Sequence, residues 1–179
     1  MFRKIAAALI VCMIALVTVA VHAQQTDSSI TASAPIPAQI LTARKVFISN
    51  GGVDALALLA FQRENEPNKL YNRFYEEMKK WGRYGLVGAP ADADLVFEIR
   101  FTAPISDCDK TTSYNPGMDL LILDAKTHFT LWTFREPVQG AFRKTTWDKN
   151  FDQGMSNLMA SLKQLTQSTI TQERSQPGS

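Results

Sequence analysis

The stretch from Met118 to Phe134 sets the strongest limit on the fold. Met118–Leu123 and Phe129–Phe134 are short apolar runs, and Asp124-Ala125-Lys126-Thr127-His128 between them is long enough only for a tight turn. Strands joined this way are antiparallel, which disfavours a doubly wound parallel sheet. In the second run Phe129, Leu131 and Thr133 alternate with Thr130, Trp132 and Phe134. Apolar groups on both faces predict a central strand with cover on at least one face.

The remaining elements follow from periodicity. Arg44–Ser49 reads as a short strand stopped by Asn50-Gly51-Gly52, and Tyr84–Gly88 as another. Asp94–Thr102 alternates, with Leu95, Phe97, Ile99 and Phe101 on one side and Glu98 and Arg100 on the other. Leu70, Tyr71, Phe74, Met78 and Trp81 recur at helical spacing after Pro67, with Glu76 and Lys80 in the favourable order for an ion pair and Gly82 and Gly85 ending the helix. Thr145 and Asp148 have capping-box spacing ahead of a second stripe, Trp147, Phe151, Met155, Leu158, Leu162 and Leu165. Residues 53–61 read either as a short helix or as a flap on the core, and 103–117 as a long loop marked by Pro104, Asn115, Pro116 and Gly117. The fold class is α+β: a two-layer sandwich, with a mixed sheet of four or five strands and two amphipathic helices on one face.

The chain has 179 residues, enough for one domain between polar ends. Met1-Phe2-Arg3-Lys4, an apolar run from Ile5 to Val21, and Val21-His22-Ala23 have the layout of a secretory signal peptide, with cleavage expected after Ala23. The expected organisation is signal peptide 1–23, disordered tether 24–42, one domain 43–166 and a flexible tail 167–179. No stable membrane span is expected after cleavage, and the destination is the periplasm or the exterior. Lipid attachment at Cys12 is disfavoured, because Val11 is not small and apolar sequence continues beyond the cysteine. The chain past Ala23 keeps one cysteine, Cys108, so the core and not a disulfide must stabilise it. Of 19 basic residues, Arg3 and Lys4 fall in the signal, leaving 17 against 17 acidic ones. A formally neutral chain lacks the basic field of a nucleic-acid binder.

Leu121-Ile122-Leu123-Asp124-Ala125-Lys126-Thr127 followed by Leu131-Trp132 resembles a hairpin of exported bacterial domains, and Ala91-Asp92-Ala93-Asp94-Leu95-Val96 resembles their entry into a central strand. The resemblance is to the TolB amino-terminal domain, CsgG and penicillin-binding-protein activator lipoproteins, and spans residues 44–166 as an order of elements. It implies a periplasmic binding or assembly domain without catalysis. Those lipoproteins carry an anchoring cysteine at the mature start, where this chain has Gln24.

Little chemistry is gathered in the sequence. Cys108 is flanked by Asp107 and Asp109, which oppose thiolate formation, and His128, the one histidine past the signal, sits at a turn. Asp92 with Asp94, and Asp107 with Asp109, offer too few oxygens for a calcium site, and one Cys with one His does not make a zinc site. No phosphate-binding glycine motif is present. No catalytic residue, cofactor or metal is therefore expected. The expected role is a non-catalytic binding or envelope-assembly module, with another envelope protein as partner and the 103–117 loop as contact, through Asp107, Asp109, Lys110 and Tyr114. Two alternatives stand beside it: a small hydrolase using an acidic loop, and a carrier of an apolar small molecule beneath 53–61.

Overall fold

The computed structural model describes residues 34–57, 68–108 and 111–173. In chain order the elements of the domain are α1 (Ala38–Thr42), β1 (Lys45–Val53), α2 (Lys69–Trp81), β2 (Gly85–Val87), a 3-10 turn (Pro90–Asp92), β3 (Leu95–Thr102), β4 (Ile105–Cys108), β5 (Thr111–Tyr114), β6 (Gly117–Asp124), β7 (Thr130–Pro137) and α3 (Lys144–Glu173). Five strands form a mixed sheet in the order β2-β1-β3-β6-β7, parallel across β2-β1-β3 and antiparallel across β3-β6-β7. This is the α+β sandwich expected from the periodicities.

The alternation of β3 decides which face is buried. Leu95, Phe97, Ile99 and Phe101 join Met118, Leu120 and Ile122 of β6 in one core with Leu70, Phe74 and Met78 of α2 and the whole predicted stripe of α3. Phe97 meets the ring of Tyr84 edge-on at 5.6 Å, and Phe101 meets Trp147 the same way at 6.0 Å. α2 ends as expected: Gly82 is left-handed, with φ 66°, and its N–H donates to the Met78 carbonyl.

Several boundaries differ from the sequence reading. Asn50-Gly51-Gly52 does not stop β1. It makes a bulge, in which the Asn50 side chain accepts the Gly52 N–H at 3.0 Å and Gly52 takes φ 78°, and the strand resumes with Val53 facing Phe101. β7 is an edge strand, not a central one. Trp132 and Phe134 face Ile122 and Leu120 and pack against the core, whereas Phe129 precedes the strand and is 74% exposed. Residues 38–42, expected in the tether, form α1, because Ile40 inserts into the core at 0% exposure and Tyr84 Oη donates to its carbonyl at 3.1 Å. α3 starts at Lys144, so Thr145 lies inside the helix and is not its cap; Asp148 instead accepts from Lys69 Nζ at 2.7 Å. The same helix continues past 166 to Glu173. Lys80 pairs with Glu77 at 3.0 Å in place of Glu76, and Gly85 opens β2. Residues 55–57 are helical, and the remainder of the 53–61 segment lies outside the described residues.

Candidate functional site

Two strands occupy the predicted 103–117 loop. β4 and β5 pair antiparallel, Ile105 with Tyr114 through to Cys108 with Thr111. Their register is that of β3 and β6: Thr102 faces Gly117, and three residues further along each chain Ile105 faces Tyr114. The four strands are thus one long hairpin with a break at residues 103–104 and 115–116. Pro104 and Pro116, which have no N–H to give to a ladder, lie in the break.

Most other backbone groups at the break have partners. Asn115 N–H donates to the Pro104 carbonyl at 3.1 Å, and Val138 N–H to that of Pro116 at 2.9 Å. Ala103 N–H donates to Asp54 Oδ2 at 2.8 Å, while Oδ1 of the same carboxylate accepts the Ala57 N–H at 2.6 Å and so caps the helical turn after β1. Asp54 thereby ties the end of β1 to the root of the arm.

Beyond this root the arm has no flanking strand among the described residues. β1 ends at Val53, opposite Phe101, and β7 at Pro137, opposite Gly117. The path from Thr102 to Cys108 is about 20 Å at the usual rise of a strand. Strand alternation carries the core-facing row from Phe101 through the buried Ala103 to Ile105, and from Met118 through Pro116 to Tyr114. The row outruns the helices: Ile105 is 48% and Tyr114 53% exposed.

Tyr114, one of the residues expected at a contact, therefore stands exposed in β5 at the end of this row. The backbone of Asp107 lies in β4 opposite Thr112, with its side chain outside the described residues, as are Asp109 and Lys110. Ile105 was missed. Its signal was present, since it continues the odd-numbered alternation of Leu95–Phe101 past Pro104.

A second missed feature lies on the opposite sheet face. Asp119, 7% exposed, accepts from Thr102 Oγ1 at 2.6 Å and from Arg135 Nη1 at 2.7 Å, with Arg100 Nε at 3.8 Å. Arg135 also donates to the Asn115 carbonyl at 2.7 Å, so the network holds both β7 and the break to the sheet. An acid inside the apolar run of β6, with basic residues one strand away on each side, was the sequence signal.

Two further carboxylates have structural duties. Asp94 Oδ2 accepts the N–H groups of Arg44 at 2.8 Å and Lys45 at 2.9 Å, and these bonds hold its carboxyl below the ordinary aspartate range. Asp124 Oδ1 accepts the Thr127 and Lys126 N–H groups and the Thr127 hydroxyl within the β6–β7 turn, which lowers its pKa as well. The turn closes with His128 at φ 59°, its N–H donating to the Asp124 carbonyl. Among the described residues no three His, Cys, Asp or Glu side chains gather as a metal site.

A groove of about 550 Å³ lies at the β2 edge, between Phe47, Leu86 and Val87 of the sheet and Tyr71, Tyr75 and Glu76 of α2. It sits where β2 has ended and β1 runs on.

No family model matches the chain, and no curated protein is similar to it in sequence. Solved structures match it in fold only. A lipoprotein from Neisseria meningitidis shares 12% identity over 66% of this chain and 99% of its own, at a TM-score of 0.37. A PelC dodecamer from Paraburkholderia phytofirmans shares 13% over 73% of this chain and 94% of its own, at 0.42. An uncharacterized lipoprotein from Nitrosomonas europaea shares 10% over 74% and 86%, at 0.35. The three families named from the hairpin are not among these structures, and that narrower resemblance rests on its two short motifs. Among the described residues no helix is long and apolar enough to cross a membrane.

Proposed function

We propose that the chain is an exported, non-catalytic module of the bacterial envelope that holds a protein partner through the β4–β5 arm. One observation carries this reading: the core-facing row runs off the end of the sandwich and leaves Ile105 and Tyr114 side by side in solvent. A two-stranded ribbon is marginal alone in water, and covering its apolar face stabilises it. The signal-peptide layout at residues 1–23 supports export. The commitment of Asp94 and Asp124 to backbone N–H groups supports the absence of acid–base work at these positions, because both carboxyls are poor proton acceptors.

A photo-crosslinking residue at position 114, in cells making the full chain, tests the reading. Position 156, exposed on α3, is the control. A discrete product from 114 that is missing from 156 is expected. No product, or the same products from both positions, overturns the reading.

The groove at the β2 edge favours a second reading, the carrier of an apolar small molecule. Its volume suits a small ligand, and two tyrosines and Phe47 are among the residues that line it. A lipid or detergent that co-purifies with the protein and is lost in Tyr75→Lys supports the carrier reading.

A further inference from the structure

We infer that the groove at the β2 edge takes the cationic head of an amphiphile, an amine or quaternary ammonium group carried on an apolar chain. This deepens the carrier reading of the groove and rests on it.

The two walls of the groove differ in chemistry. The sheet wall is apolar, with Ile48 of β1 and Leu86 and Val87 of β2. The α2 wall presents Tyr71, Asn72, Tyr75 and Glu76. Tyr71 and Tyr75 are four residues apart and lie one above the other on the helix; Asn72 and Glu76 form the adjoining line. The two tyrosine rings have their centroids 6.2 Å apart and are inclined by 37°. Tyr71 packs against the core, and Tyr75 is 38% exposed. Phe47 of β1 adds a third ring to the lining.

The sign of the ligand follows from what lines the groove. The faces of aromatic rings are the negative part of their quadrupole and attract a cation held within about 6 Å of the centroid. Among the described residues that line the groove, Glu76 is the one charged side chain. Its ion pair with Arg73 is long, at 3.6 Å, and its side chain is 61% exposed, so the carboxylate keeps room for another cation. Arg73 is shared with Glu77 at 3.7 Å and Asp152 of α3 at 3.5 Å, and it does not line the groove. An anionic head would meet Glu76 with no positive charge in the lining to offset it. A cationic head meets a carboxylate and ring faces, and the apolar wall of Ile48, Leu86 and Val87 receives the chain attached to it.

Calorimetric titration of the protein purified from cells that make the full chain tests this. The probes are octyltrimethylammonium, octanoate and octyl glucoside, which share one chain and differ in the charge of the head, each kept below its micelle concentration. Octyltrimethylammonium is expected to bind about tenfold more tightly than the other two. Glu76→Gln and Tyr75→Ala, with unfolding transitions like the parent, are expected to weaken its binding about three- to tenfold. Tyr75→Phe keeps the ring face and is expected to bind as the parent does. Equal affinity for the three heads overturns the inference, as does cation binding indifferent to both Glu76→Gln and Tyr75→Ala. The two levels of the argument fail separately. If all three probes bind alike and all are lost in Tyr75→Lys, the choice of a cationic head falls and the carrier reading stands. If none binds, both fall.

Discussion

Ile105 faces Tyr114 across a two-stranded ribbon, in the same register that pairs Thr102 with Gly117 three residues earlier. The arm is therefore the outer end of the β3–β6 hairpin, not a loop inserted into it. It inherits the inside-outside alternation of the core strands, and among the described residues no helix covers it as one covers them. That is how a chain with few exposed large apolar groups among its described residues comes to place two of them together.

The arm is held at its root by Asp54, whose two oxygens take the N–H groups of Ala57 and Ala103. Asp54→Ala removes a helix cap and orphans a buried amide, with an expected loss of about 1–2 kcal/mol. Hydrogen exchange at the Ala103 amide is expected to accelerate more than exchange at Leu120. Equal protection at Ala103 in the variant would contradict the role given to Asp54.

Gly117 marks the other side of the root. A Cβ there would lie 2.8 Å from the Glu136 carbonyl oxygen, a backbone atom that cannot swing aside. Gly117→Ala is expected to cost about 1–3 kcal/mol in urea unfolding, through a forced shift between β6 and β7. A neutral result would mean that the strands separate freely there.

Asp119 has a low exposure and two arginines within reach, so its removal is expected to cost more than removal of either cation. Asp119→Ala should lower stability by about 1–3 kcal/mol, because it strands a donor from Thr102 and one from Arg135. Arg135→Met should cost less, about 1 kcal/mol or below, since its guanidinium is partly in water and a solvent-screened pair contributes little. Urea midpoints of the two variants give the order directly.

Asp94 and Asp124 contribute to the acid limb of stability. Both carboxyls are depressed in the folded chain: that of Asp94 by the backbone N–H groups of Arg44 and then Lys45, and that of Asp124 by those of Thr127 first and Lys126. On acidification below about pH 4 the unfolded chain takes up these protons first. Their stabilisation is complete above that pH and is lost as pH falls through the folded values. The drop in urea midpoint between pH 7 and pH 3 is expected to shrink in the double variant Asp94→Asn, Asp124→Asn. An unchanged drop would place the acid sensitivity elsewhere.

The parts of the fold legible in the sequence are those where one local period decides the outcome. Leu95 to Phe101 at period two, and the stripes of α2 and α3 at three and four, could pack only as they do. β7 was misplaced because Trp132 and Phe134 look the same under a helix at a sheet edge as in the middle of a sheet. β1 was cut short because glycines that end a strand and glycines that bulge it share one spelling; only the partner Arg100 and Phe101 positions distinguish the two. The arm read as a loop because Pro104 and Pro116 are local breakers, while the register that reunites its strands is a relation between residues a dozen positions apart. Tyr114 was named for lying in the long 103–117 segment with two prolines and a mixed-charge run, and Ile105 was passed over because Pro104 interrupts the period-two row that it continues.

The account turns on Ile105 serving a contact outside the domain and not the domain itself. The direct measurement is the yield of crosslinked product from position 114 with and without Ile105→Lys, with urea unfolding of the same two proteins in parallel. The account predicts a strong loss of product with a midpoint that moves by no more than a surface substitution does, about 0.5 kcal/mol. A crosslink that survives while stability falls by several kcal/mol would make Ile105 a core residue and contradict the account.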